Sequence, residues 1–145
     1  MGVTFPYTPV ASRGGVVRKP YLWVVLRHQG NFTPPINMLL DTGADCCIFD
    51  AALATDLLRF DVAALGRATT ISGIEGPVPA YVHPIEVHVR DLKRTFQIPE
   101  AHFCQLRGLA GVLGHNGFLD RLIVRFSLGR SFEIEDGAAT GTRGT

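Results

Sequence analysis

The sequence predicts a mainly β, single-domain fold, and three observations carry that prediction. The chain has 145 residues, enough for one domain with its own core and too few for a second complete one. Its 16 glycines and 9 prolines cut it into short pieces. The apolar runs between them have strand length, and none has the length and period of a long helix.

Met1 to Gly15 is mixed in character and ends in Arg13-Gly14-Gly15, so residues 1–15 are expected to be a loosely ordered segment. The domain itself is expected over residues 16–136, followed by a flexible tail over 137–145 made almost entirely of Gly, Ala and Thr. Tyr21 to Leu26 and Ile36 to Leu40 are apolar runs on either side of a polar turn at His28 to Asn31, and they read as two buried strands. Between Asp50 and Leu58 the residues favour a short helix, with Asp50 as its N-cap and Leu53, Leu57 and Leu58 on one face. Tyr81 to Val89 alternates as a strand, and Pro84 within it points to an edge position or a bulge. Further strands are expected at Thr69 to Ile74, Phe96 to Ile98, His102 to Leu106, Leu122 to Phe126 and Ser131 to Ile134.

Composition excludes several function classes. With 46% hydrophobic and 19% charged residues and a net charge of +1, nothing points to a nucleic-acid partner. No segment approaches the ~20 apolar residues of a membrane span, and the first residues lack a basic stretch followed by an apolar run, so no membrane association or export is expected. Cys46, Cys47 and Cys104 cannot all pair within one chain, and neighbours such as Cys46 and Cys47 rarely bond to each other; reduced thiols in the cytoplasm account for them.

The chemistry concentrates in three segments. Met38-Leu39-Leu40-Asp41-Thr42-Gly43-Ala44-Asp45 sets a carboxylate directly after a buried strand, in a turn that glycine permits. An acid held at the edge of a core is costly without hydrogen bonds or a protonated partner, although Asp-x-Gly also occurs as a plain loop starter. Ile71-Ser72-Gly73-Ile74-Glu75-Gly76 has the glycines of a flexible hairpin tip. Ala110-Gly111-Val112-Leu113-Gly114 is an apolar strand ending in glycine.

Leu39 to Asp45 resembles the active-site motif of the retropepsins, the retroviral-type aspartic proteases. Ile71 to Gly76 is similar to their flap, and Val112-Leu113-Gly114 to their hydrophobic-hydrophobic-glycine motif. The three occur in the family's order, and the resemblance spans roughly Tyr21 to Ile134. Gly114 to Asp120 also resembles the stand-alone bacterial members.

The resemblance implies a closed, barrel-like sheet with a flap hairpin and one or two short helices, active as a symmetric homodimer. One Asp-Thr-Gly per chain implies a site completed by the Asp41 of a second copy, hydrolysing peptide or protein substrates with no metal and no cofactor. In that scheme Asp41 is catalytic, Thr42 bonds across the dimer axis, and Gly43 lets backbone approach the carboxylates. Ala44, Asp45, Gly73, Ile74 and Val112 contact substrate, with Val78 a further subsite residue. Family members with Ser at the position of Ala44 place a hydroxyl on the dyad; without it, activity is expected at mildly acidic to near-neutral pH.

The chain departs from the pattern at two places. Retroviral members carry an Arg after the glycine of the third motif, paired with the acid that matches Asp45; here that residue is His115, and a His115–Asp45 pair would charge below neutrality and tighten the dimer there. The Gly-rich end is a poor interface strand, which leaves Val3 to Tyr7 or Phe132 to Ile134 as candidates.

Other readings compete. His83, His88, His102, Cys104 and His115 are metal-ligand types, but His83 and His88 fall on opposite faces of one strand and no Cys-x-x-Cys accompanies them. The apolar neighbours of Cys46 and Cys47 suit packing better than an activated thiolate. A dimeric peptide-binding or assembly module on the same fold is the alternative from another class.

Overall fold

The computed structural model describes residues 2–73 and 76–137. The chain opens on strand β1 (Val3–Pro6) and a hairpin of β2 (Thr8–Ser12) and β3 (Gly15–Lys19). Residues 1–15 thus contain strands where the sequence suggested loose order. The reason lies at the other end of the chain. β1 pairs antiparallel with the last strand, and Phe5 stacks on the fully buried Phe132 with ring centroids 5.2 Å apart. Such long-range pairing leaves little trace in a short mixed segment.

β4 (Tyr21–His28) and β6 (Ile36–Leu40) form on the two apolar runs, joined through Gly30 at φ +84° and the short β5 (Asn31–Phe32). β4 alternates: Leu22, Val24 and Leu26 are buried, whereas Trp23 and Arg27 face out. Buried Thr33 fixes the turn, its N–H donating to the Leu26 carbonyl and its hydroxyl accepting from the Leu26 N–H at 3.0 Å. Beyond β6 a loop leads to β7 (Ile48–Asp50) and then the helix α1 (Ala51–Leu53), which runs on as a π-helical turn to Leu58 and stops at Arg59, in a left-handed conformation at φ 63°.

The short helix therefore lies where its composition places it, but the expected cap is different. Asp50 makes no side-chain cap and instead accepts from the Leu106 N–H at 3.2 Å, which ties a distant loop to the helix start. Asp61 does cap the next helix, α2 (Val62–Leu65), by accepting from the Ala63 and Ala64 N–H groups.

β8 (Arg67–Gly73) and β9 (Gly76–Val89) form a long hairpin, and β10 (Arg94–Cys104) runs back along β9. The two strands expected at Phe96 to Ile98 and His102 to Leu106 are one strand, with a bulge between Ile98 and Ala101 opposite Pro84. Pro84 and Pro99, neither with an N–H to offer, face each other across this irregularity, so the break in the sequence pattern is a break in register and not in the strand. The short β11 (Gly111–Leu113) and the pair β12 (Leu122–Ser127) and β13 (Ser131–Asp136) complete the chain.

Eight strands make one sheet in the order β5-β4-β6-β11-β7-β10-β9-β8, and an added β4–β9 pairing closes it into a barrel. A separate three-stranded sheet, β1-β13-β12, and the isolated β2–β3 hairpin complete the architecture. Inside the barrel lie Phe49, Phe96, Phe103, Phe118, Leu26 and Met38, each essentially without solvent contact. Among the described residues no helix is long and apolar enough to cross a membrane.

Candidate active site

β11 decides the geometry. It lies between β6 and β7, parallel to the first and antiparallel to the second, so the loop that joins β6 to β7 must cross over the end of β11. That loop is Asp41 to Cys47, and it carries Asp-Thr-Gly.

The crossing is laced with backbone hydrogen bonds. Asp41 N–H donates to the Leu113 carbonyl at 3.1 Å, His115 N–H to the Ala44 carbonyl at 3.0 Å, and Asn116 N–H to the Asp45 carbonyl at 2.9 Å. Gly114 sits under the loop, where an added Cβ would lie 2.2 Å from the Cys46 carbonyl oxygen and 2.7 Å from that of Ala44. Only glycine lets the two backbones approach this closely. The glycine that ends Val112-Leu113-Gly114 thus serves the Asp41 loop directly.

Asp41 itself is half-buried. Its Oδ1 accepts from the Gly43 N–H at 2.9 Å and its carbonyl from the Ala44 N–H at 3.2 Å, a self-bonded turn that stiffens the acid's own support. The strand register places Leu39, Val112 and Ile48 on one face of the sheet, and Asp41, two residues beyond Leu39 and bonded through its N–H to the Leu113 carbonyl, continues that alternation. Leu39, Val112 and Ile48 are all half-buried, so an apolar floor with open area lies beside the carboxylate. Val112 was expected from its motif. Leu39 and Ile48 escape sequence reading because they look like ordinary core residues, and only the β6–β11–β7 register turns them toward the acid.

Thr42, Gly43 and Asp45 are exposed and Ala44 half-buried, all in the same loop. Gly73 ends β8 and pairs with Gly76 across the hairpin, and half-buried Val78 stands opposite Ile71. Ile74, the expected tip residue, lies outside the described residues, as does the tail 138–145.

His115 corrects an expectation. Its Nε2 is 2.7 Å from the Thr42 carbonyl, to which it donates, so the ring is directed into the Asp-Thr-Gly backbone and not to the Asp45 carboxylate. The other histidines have local uses. His83, buried between Phe60 and Phe103, donates to the Val62 carbonyl at 2.8 Å. His88 bonds the Thr95 hydroxyl at 2.9 Å and His102 the Glu100 carbonyl at 3.1 Å. Among the described residues no three His, Cys, Asp or Glu side chains converge to hold a metal.

Burial pushes the Cys46 thiol up, with Asp45 adding to the effect, and pushes Cys47 up to about 12. Cys104 is raised by burial as well. These are packed neutral thiols, the opposite of an activated nucleophile.

No protein-family model matches the sequence. No characterised protein matches it by sequence. Solved structures do match the fold. A retropepsin-like aspartic protease from Rickettsia conorii superposes with a TM-score of 0.59 at 18% identity, covering 92% of this chain and 98% of that one. The EIAV protease, solved with the inhibitor HBY-793, superposes with a TM-score of 0.52 at 24% identity, covering 70% of this chain and 86% of that one. The fold is therefore that of the retropepsin-like aspartic proteases.

Proposed function

We propose that this chain is an aspartic endopeptidase whose site forms when two copies bring their Asp41 loops together about a two-fold axis. The observation that carries the reading is the position of Asp41. It is a half-open carboxylate on a loop clamped over Gly114, next to an apolar floor of Leu39, Ile48 and Val112.

One carboxylate cannot both take a proton from water and give one to the peptide carbonyl, so a single chain lacks half of the chemistry. Two facing Asp41 groups supply both roles, sharing one proton between them because close like charges cannot both ionise. The ionised Asp41 accepts a proton from water, the water oxygen bonds to the scissile carbonyl carbon, and the protonated Asp41 of the other copy gives its proton to the carbonyl oxygen. The resulting gem-diol passes a proton to the peptide nitrogen, the C–N bond breaks, and a carboxylic acid and an amine leave. No covalent enzyme intermediate forms.

In this reading Thr42, next to the acid and exposed, bonds to its mate across the axis. The β8–β9 hairpin is the flap in this reading, with Gly73 and Ile74 near its tip covering an extended peptide and excluding water. Cytoplasmic action at mildly acidic to near-neutral pH fits the neutral, unpaired thiols and Ala44. An inactive peptide-binding module on the same fold would have no need of the carboxylate.

The test is incubation with a diverse peptide library from pH 4 to 8, cleavage read by mass spectrometry, with Asp41→Asn prepared in parallel. Cleavage by wild type that disappears in a folded, dimeric Asp41→Asn protein is the expected result. A folded dimer that leaves every peptide intact overturns the reading in favour of a binding module.

A further inference from the structure

The β2–β3 hairpin is the part of the described molecule with least support from its own chain. Among the described residues, β2 and β3 pair only with each other. Every residue of β3 before Lys19 is exposed, with Val16 at 70% and Val17 at 43%. Two-stranded ribbons of this size are marginal in water unless something covers them.

The register divides the hairpin into two faces. Val10 opposes Val17 and Thr8 opposes Lys19 on one, and Thr8, Val10 and Lys19 are half-buried there. Ala11 opposes Val16 and Pro9 opposes Arg18 on the other, and all four are exposed. The second face is thus an apolar patch with one cation. The edges are unequal as well: Pro9 interrupts β2, whereas β3 has no proline and carries its charges, Arg18 and Lys19, only at its end.

Position and charge identify what covers the patch. The hairpin leads into β4 through Pro20, whose carbonyl accepts from the Leu40 N–H at 3.0 Å, and Leu40 is the neighbour of Asp41. Its root therefore lies beside the loop where a second copy must approach, and a five-residue strand reaches roughly 17 Å from there. Arg13, Arg18 and Lys19 are its charges, with no acid among residues 8–19. Taking these three cations from the net charge of +1 leaves the rest of the chain at −2. The body thus carries a slight acidic excess, to which the basic arm of a second copy is attracted.

We infer that the β2–β3 hairpin is a dimerisation arm, its Pro9, Ala11, Val16 and Arg18 face packing on the body of a second copy of this chain. The inference rests on the two-copy reading above and adds the surface that holds the copies together.

The experiment is sedimentation equilibrium on the full chain, wild type against Val16→Asp and Val16→Thr, with amide exchange of residues 15–19 followed as a function of concentration. Because Val16 is 70% exposed, Val16→Asp leaves the circular dichroism and the Tm of the dilute protein unchanged. The expected result is a dimer constant weakened at least ten-fold in Val16→Asp and less than three-fold in Val16→Thr, with β3 amides slowing as wild type is concentrated. An unchanged dimer constant in Val16→Asp overturns the arm while leaving an Asp41-dependent protease standing. An unchanged constant with a raised KM reassigns the hairpin to substrate and overturns it equally. A wild type that stays monomeric at every concentration removes the two-copy reading and the arm together.

Discussion

The imidazole Nε2 of His115 lies 2.7 Å from the carbonyl oxygen of Thr42, across 73 residues of sequence. With the backbone bond from His115 to Ala44, this gives the Asp-Thr-Gly loop two anchors on a single residue. Replacing His115 by Ala removes a hydrogen bond worth about 1 kcal/mol and loosens the backbone that carries the proposed catalytic acid. We expect His115→Ala to lower kcat roughly ten-fold with KM changed less than three-fold, as for a group felt mainly in the transition state. His115→Gln, whose amide still offers an N–H, recovers most of the rate; steady-state kinetics with one cleaved peptide decides it.

Gly114 predicts a larger effect on stability. A methyl group there meets two backbone carbonyls, those of Cys46 and Ala44, and neither can swing aside as a side-chain end would. Gly114→Ala should cost about 3 kcal/mol, in the range of overpacking plus backbone shift. Gly14→Ala, where nothing lies within 4 Å, is the matched control and should unfold within about 0.5 kcal/mol of wild type in urea.

These two residues mark how far the sequence can be read. The Asp41 loop and the glycine of the third motif are legible because each is a local pattern, an apolar strand broken by a turn residue. The strands on Tyr21 to Leu26 and Ile36 to Leu40 are legible for the same reason. What joins them is not. That Gly114 lies under Cys46, that His115 reaches Thr42, and that Leu39 and Ile48 face Asp41 all follow from β11 entering between β6 and β7, a pairing that no window of sequence contains. β1 was missed on the same grounds, since Val3–Pro6 becomes a strand only against Phe132 and Ile134. The Pro99-Glu100 bulge hid the continuity of β10 because register shifts and strand ends look alike in sequence.

That missed strand carries a prediction of its own. Phe132 is fully buried and touches Phe5, Tyr7 and Phe126, the last with ring centroids 6.3 Å away. Phe132→Ala should cost about 3–5 kcal/mol, as for other buried Phe truncations. Removing residues 1–6 takes away only Phe5, one of the three rings around Phe132, and should cost less than Phe132→Ala. Urea unfolding followed by tryptophan fluorescence gives both values, and equal losses would show that β1 contributes most of the cover over Phe132.

Cys47 gives stability a pH dependence whose sign is fixed by its burial. The thiol is raised from an ordinary 9.0 to about 12, first by burial, against a smaller opposing pull from the Gly114 backbone. Below pH 9 the thiol is protonated whether the chain is folded or not, and the contribution is constant. Between pH 9 and 12 the unfolded chain gives up its proton while the folded chain holds it, so folding weakens as pH rises. The loss approaches on the order of 4 kcal/mol at the upper end, three units at 1.36 kcal/mol each. The informative quantity is the difference between wild type and Cys47→Ala. The variant should start less stable by about 1 kcal/mol at pH 7 from lost packing and lose stability less steeply above pH 9. Parallel slopes for the two proteins would mean that the Cys47 thiol reaches solvent, and iodoacetamide would then label it in the folded protein at pH 8.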